Sequence, residues 1–329
     1  MLPHSPIFVD NAVTLARRLK LFLALSRTLQ ATLSIAQPGL GAVLAVGAIP
    51  PADKTVVGVI AAWAGLHAVF AMNDLLDVEF DRRRFQRVRT YQGFDIDAAI
   101  VRHPLALGYI SPTSAVLWIA FLTTIALVAA FWLSPISAAL FVSSVILEWG
   151  YCKLAKVSPW KFLPTGLMIG FGSLAGWFAV SNEVNLTLVV FFLWMAAWEI
   201  GGRNIVNDWS DIEEDIYLGI KTVPATFGVG SAGKLAFVGI VLTFLLSLAL
   251  AFTANLSWLY LVGAMVAGVY MLLVPGLRLL REPDRIELAP ILFNRASLYP
   301  AAMLAIVVVS IYVPHVVDWV TSWVYVPVR

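Results

Sequence analysis

Two short stretches, N-D-L-L-D-V-E-F-D (73–81) and N-D-W-S-D-I-E-E-D (207–215), carry the same side chains at the same spacing. Asn73, Asp74, Asp77 and Asp81 are repeated as Asn207, Asp208, Asp211 and Asp215, 134 residues on. At about 100° per residue, offsets of 0, 3 and 7 put three carboxylates within roughly 60° of one helix face. Like charges so placed repel, and at the edge of a lipid phase the cost grows, so positive charge has to offset them. Hard carboxylate oxygens suit Mg²⁺, which is bound through one or two carboxylates together with substrate phosphate oxygens. Two such clusters facing one another would cage a diphosphate. For one copy alone, solvated helix-end acids paired with Arg82, Arg83 and Arg84 would explain the pattern as well. Two copies at equivalent places weigh against that reading.

The elements that must position these acids are apolar. The chain has 329 residues, 60% hydrophobic and 13% charged, against about 25% charged in a soluble domain. It therefore reads as an all-α polytopic membrane protein. Apolar runs bounded by charge or by Pro and Gly predict nine transmembrane helices near 21–48, 55–73, 113–133, 136–156, 161–181, 185–206, 233–254, 257–279 and 289–313. Each acidic motif ends an even-numbered span, four spans apart, which predicts an internal parallel repeat with halves at about 21–156 and 157–313. Residues 1–20 lack the apolar core and cleavage site of a removable leader and read as an interfacial helix. A lone cysteine, Cys152, excludes an intrachain disulfide.

With a cytosolic N-terminus, 17 Lys and Arg fall in inside segments, whereas only Lys54 and Arg329 fall outside. The positive-inside rule thus places both acidic motifs at the cytosolic face of an inner or plasma membrane. Trp132, Trp258, Trp319 and Trp323 then read as outer-interface anchors, and Trp149, Trp160 and Trp209 as inner ones.

The two motifs resemble those of the UbiA superfamily of intramembrane prenyltransferases, N-D-x-x-D-x-x-x-D after the second span and D-x-x-D-x-x-x-D after the sixth. R-H-P-L-A-L-G-Y-I-S-P (102–112) is similar to that family's R-P-L-x-x-G segment with His103 inserted, and G-I-K-T-V-P-A-T-F-G (219–228) to its G-x-K-T-L-P-x-x-x-G. The chain departs from the family in the long stretch between Asp81 and Arg102 and in the spacing of Tyr and Lys in Y-C-K-L-A-K (151–156). The resemblance covers most of the chain, as one transmembrane domain over 1–329. It implies nine helices around a central cavity, two Mg²⁺ ions, and prenyl transfer from a (poly)prenyl diphosphate to an acceptor, commonly an aromatic quinone precursor. The partners implied are these two small molecules and the lipid bilayer, with no nucleic acid. Other acceptors, a glycerol-phosphate lipid, a tetrapyrrole or a sugar phosphate, stay open. A secondary transporter is disfavoured because its coupling sites lie near the midplane, whereas these acids sit at span ends.

Asp74, Asp77, Asp81, Asp208, Asp211 and Asp215 are accordingly read as the metal-binding and catalytic carboxylates, with Asn73 and Asn207 as oxygen ligands or orienters. Lys221 and Arg102 are candidate diphosphate contacts, against a purely topological role. Arg27, Arg203 and Arg295 lie within spans, where an arginine is a functional candidate by default. Arg203 has Glu199 one turn back as a structural partner. Arg27 has no acid nearby in its own span, which points to the diphosphate or an anionic acceptor. Tyr151 and Lys156 are candidates for orienting the acceptor, and Asn294, with Ser297, for lining the cavity. Gly166, Gly170, Gly172 and Gly176 read as close-packing positions that could also make room for a prenyl tail. Residues 82–112 are expected to form a cytosolic cap over the site.

Overall fold

The computed structural model describes residues 15–84 and 100–324 of the chain, and these are helical almost throughout, with no strand among them. The helices run α1 Leu15–Leu25, α2 Thr28–Ser34, α3 Ala36–Val46, α4 Ala52–Leu76, α5 Val78–Arg84, α6 Pro112–Leu133, α7 Pro135–Leu154 and α8 Phe162–Phe178. The order continues with α9 Leu186–Trp198, α10 Ile205–Ser210, α11 Ile212–Leu218, α12 Val223–Phe227, α13 Val229–Thr253, α14 Trp258–Ala267, α15 Val274–Arg281 and α16 Leu288–Val324. Wide π segments, Glu199–Asn204 and Gly268–Leu273, join α9 to α10 and α14 to α15. Eight of the resulting helical units are long and apolar enough to cross a membrane. α8, at 17 residues, falls short of that length, so the described residues hold eight such units where the sequence predicts nine.

Local chemistry sets the starts. Ser111, ahead of Pro112, accepts a hydrogen bond from Ser114 N, and Ser134, ahead of Pro135, accepts one from Ile136 N. Asn185 caps α9 through Leu188 N. These are side-chain oxygens satisfying first-turn amides, with proline where its missing N–H costs nothing. α4 packs on α6, α7 on α8, α3 on α8 and α9 on α13. Where α13 crosses the first π segment, a Cβ on Gly201 would stand 2.6 Å from Gly239 Cα, so the two backbones meet without side chains between them. Leu117, Phe121, Val128 and Phe131 of α6 are exposed, the surface a lipid-facing helix presents.

The first span departs from a single helix over 21–48. α1, α2 and α3 follow in succession, and Arg27 stands in the break with a left-handed backbone, φ 44°. Trp132, Trp149, Trp160 and Trp258 are exposed as anchors should be, but Trp209 is wholly buried and touches the Gly233 position, so it is a core residue. The side chains of Trp319 and Trp323 lie outside the described residues, as does the middle of the expected cap, 85–99.

Candidate active site

Neither acidic motif lies on an unbroken helix. α4 ends at Leu76, Asp77 adopts φ −100°, ψ 5°, and α5 begins at Val78. In the second copy α10 ends at Ser210, Asp211 adopts φ −101°, ψ 12°, and α11 begins at Ile212. The middle carboxylate of each motif therefore sits at a joint, where the sequence spacing had suggested one continuous face. The joint still brings both motifs to one cavity of about 340 Å³, whose lining includes Asp77, Asp81, Asp208, Asp211 and Asp215.

Asp74 and Asp208, the first carboxylates, are each held by one cation. Arg27 Nη2 lies 2.7 Å from Asp74 Oδ1, and Lys161 Nζ lies 2.7 Å from Asp208 Oδ1. Arg27 and Lys161 are themselves 134 residues apart, the offset that relates the motifs. The register of the repeat thus extends from the acids to the cations that neutralise them. Arg27 stands just ahead of α2 and Lys161 ends the 3₁₀ turn Pro159–Lys161 ahead of α8. Lys161 also donates to Tyr151 Oη at 3.0 Å. Burial pushes the Lys161 ammonium down, but the Asp208 carboxylate outweighs it and holds the group well above the ordinary lysine range.

The first motif carries an addition that the second lacks. His103, itself at positive φ, places Nδ1 2.9 Å from Asp81 Oδ2 and 3.4 Å from Asp74 Oδ1. Burial alone would lower its pKa, and the hydrogen bonds to Asp74 and Asp81 raise it instead. Arg27 Nη2 donates to Asn73 Oδ1 at 3.1 Å, so the Asn73 oxygen is committed to Arg27 and the residue orients its neighbours. Arg102 lies 3.6 Å from Asp211 and bridges the two halves.

The carboxylates suit a divalent cation. Asp215 Oδ2 is buried without a hydrogen-bond partner, and Asp74, Asp81 and His103 each bring a ligand atom within 4.8 Å of the others. Burial first, then the Asp208 charge, pushes the Asp215 carboxyl up to about 8, and burial with the Asp81 charge pushes Asp77 up to about 6. Such shifts mark carboxylates that burial and neighbouring acids crowd more than the nearby cations relieve.

The remaining sequence candidates divide. Lys156 lines the cavity with Nζ 4.7 Å from the Phe80 ring, and Tyr151, Asn207 and Arg203 line it too. Arg203 reaches Glu199 Oε2 at 3.4 Å and stands between the rings of Trp198 and Phe293, at 5.4 and 5.1 Å, with the Gln30 amide oxygen against its guanidinium. Asn294 lines a smaller recess shared with Arg102, Asn207 and Asp211. Lys221 is exposed and outside the lining, its backbone N–H donating to Ala155 O. Arg295 is likewise outside the lining and donates to Tyr270 O at 3.3 Å. Arg27 meets an acid after all, on α4 instead of its own span. Sequence reasoning passed over Lys161, Glu148 and the contacts of His103. The 134-residue offset from Arg27 was the signal that could have found Lys161.

Away from the acids the wall is apolar and made of small residues, among them Gly58, Ala62, Gly65, Ala130, Gly172 and Ala179. A Cβ on Gly172 would meet nothing within 4 Å, whereas one on Gly166 or Gly170 would strike Ile200 or Phe192. Gly176 likewise leaves no room for a Cβ against the Pro38 backbone, so the glycine run serves packing at three positions and open space at the fourth.

The sequence pattern of the UbiA prenyltransferase family matches residues 37–298. The chain belongs to the UbiA prenyltransferase family. It is 30% identical over 148 residues to 4-hydroxybenzoate octaprenyltransferase of Blochmanniella pennsylvanica, a match that takes in 43% of this chain and 49% of that one. The aligned stretch is thus about half of that relative's length. Among solved structures, a UbiA homolog from Aeropyrum pernix superposes with a TM-score of 0.68 at 18% identity, covering 85% of this chain and 97% of the other. A UbiA homolog from Archaeoglobus fulgidus bound to GPP and Mg²⁺ gives 0.61 at 18% identity, covering 87% and 99%. These two likenesses establish the family fold.

Proposed function

We propose that the chain transfers a prenyl group from a (poly)prenyl diphosphate to an aromatic, quinone-precursor acceptor, in a reaction that needs Mg²⁺. The observation that carries this reading is the convergence of two repeat-related carboxylate motifs, each with its own cation, at one end of a cavity whose other walls are apolar and of small residues. Kinship to a 4-hydroxybenzoate octaprenyltransferase supports the aromatic acceptor, and the likeness to a homolog bound to GPP and Mg²⁺ supports the donor and the metal.

Asp77, Asp81, Asp211 and Asp215 would hold two Mg²⁺ ions, with Asp74 and Asp208 behind them on Arg27 and Lys161. Bound there, Mg²⁺ supplies positive charge that stabilises the leaving diphosphate. Arg27, Lys161, Lys156 and Arg102 add fixed positive charge at the same end, where negative charge grows as the allylic C–O bond breaks. The small-residue wall accommodates the isoprenoid chain and keeps water from the resulting cation. Tyr151, with its hydroxyl held by Lys161, and Arg203, held between two rings, face the same space and limit how an acceptor can lie.

The site would open to the cytosol, as the charge distribution of the sequence requires. Measuring pyrophosphate release from prenyl diphosphates of several lengths, with Mg²⁺ and with EDTA, tests the reaction, and a panel of phenols, glycerol phosphates and sugar phosphates tests the acceptor. Asp77→Asn and Asp211→Asn should each abolish Mg²⁺-dependent release in a folded protein. Full turnover by either variant at saturating Mg²⁺ would overturn the assignment.

A further inference from the structure

One buried carboxylate lining the cavity belongs to neither motif. Glu148, on α7, is 4% exposed and forms no ion pair among the described residues. Asn73 Nδ2 donates to its Oε1 at 2.9 Å, and Cys152 Sγ lies 3.7 Å from the same oxygen. The Asn73 amide cannot turn round, because Arg27 donates to its oxygen at 3.1 Å. Both contacts thus fall on Oε1, which leaves Oε2 to the cavity that Glu148 lines. A carboxyl oxygen in a span, without a cation to answer it, is costly and calls for a hydrogen-bond donor. The nearest cations on this side are engaged elsewhere, Arg27 on Asp74 and Lys161 on Asp208.

We infer that Glu148 binds the acceptor through a hydroxyl, its Oε2 accepting the hydrogen bond, and so selects a hydroxylated ring. The inference rests on the prenyl-transfer reading and narrows its acceptor. A phosphate or carboxylate at this position would face Glu148 with like charge, whereas a phenol offers the missing donor. Asn73 then links the metal-binding end of the cavity to the acceptor end, since one amide joins Arg27 and Asp74 to Glu148. Glu148 acts as a specificity determinant, with no bond made or broken at its own atoms.

The test compares 4-hydroxybenzoate with 4-methoxybenzoate, using geranyl diphosphate and Mg²⁺, in the wild type, Glu148→Gln and Glu148→Leu. A site built around a substrate hydroxyl rejects the analogue lacking that donor by on the order of 10⁴ in kcat/KM. The wild type should therefore favour the hydroxy compound by at least about 10³. Glu148→Leu should bring the ratio below about tenfold, and Glu148→Gln, whose amide can donate to the ether oxygen, should raise the methoxy compound relative to the hydroxy one. If the leucine variant does not fold, the ratio in the isosteric glutamine variant decides. An unchanged ratio in a variant that still transfers would overturn the inference. So would an equal loss on both acceptors, which would mark Glu148 as a support for Asn73 alone. A wild type that releases Mg²⁺-dependent pyrophosphate yet prenylates no phenol refutes this inference and leaves prenyl transfer standing, whereas one that releases none refutes the reading beneath it.

Discussion

Replacing Lys161 by Met isolates the cation that holds the second motif. Lys161 and Asp208 are about equally buried, their side chains 6% and 5% exposed, and they meet at 2.7 Å. Removing one partner of so buried a pair strands the other, at a cost of about 3–5 kcal/mol. The repeat-related pair gives an internal control. Arg27 and Asp74 also meet at 2.7 Å, but Arg27 is 18% exposed, and Asp74 keeps His103 within 3.4 Å. Arg27→Met should therefore cost less, about 1–3 kcal/mol, because the acid it leaves behind retains His103 as a donor and the guanidinium removed was itself partly solvated. The assay is reversible unfolding by SDS titration in mixed micelles, without Mg²⁺, for Lys161→Met, Asp208→Asn and the double variant. Once the charge on residue 208 is gone, Lys161 loses the carboxylate it meets directly, so the cycle should return a coupling of at least about 2 kcal/mol. Additive single effects, with a coupling below about 0.5 kcal/mol, would refute the idea that the pair is a unit. So would a larger loss for Arg27→Met than for Lys161→Met.

Mg²⁺ affinity should rise with pH from about 6 to above 8, because binding must displace the proton that Asp215 holds up to about 8 and Asp77 up to about 6. Calorimetric titration of EDTA-treated protein in buffers of different ionisation enthalpy would report both the affinity and the released protons, and an affinity flat over that range would contradict the assignment. Gly172→Leu should leave turnover of short prenyl diphosphates within a few-fold while depressing that of long ones at least about tenfold, since the side chain enters open space in the cavity wall. Equal effects at every chain length would place the chain elsewhere. Cysteine introduced at the exposed Arg82 should react with an impermeant maleimide only from the cytosolic face, against little background from the buried Cys152; labelling of intact cells from outside would invert the topology.

The spans and the acids were legible because both rest on local rules, apolar run length for the first and residue spacing for the second. Less legible was everything made by contacts across the bundle. Arg27 looked unpaired because its acid lies 47 residues away on another helix, and no periodicity within a span reports such a partner. Lys161 looked like one of many inside cations, yet it is buried at 5% exposure. Trp209 read as an interfacial anchor on composition, and the close approach of Gly233 makes it core. The joints at Asp77 and Asp211 were hidden too, since neither L-L-D-V nor W-S-D-I contains Pro or Gly to announce a break.

The π segment Glu199–Asn204 has a consequence for insertions and deletions. Each π turn holds one residue more than an α turn, so the helical phase downstream is set by that extra residue. α4 and the unit Leu186–Ser210 both contain 25 residues, yet only the second contains a wide turn. Removing a single residue within 199–204 would let the wide turn close as an ordinary α turn with Asn207 and Asp208 still on their present face, whereas closing it without a deletion would turn them by about 100° away from Lys161. A loss of one residue in the exposed loop Ser181–Asn185 would leave that phase alone. The aim of Asp208, Asp211 and Asp215 thus hangs on the wide turn, which absorbs one extra residue between Trp198 and Asn207 without moving the face they present.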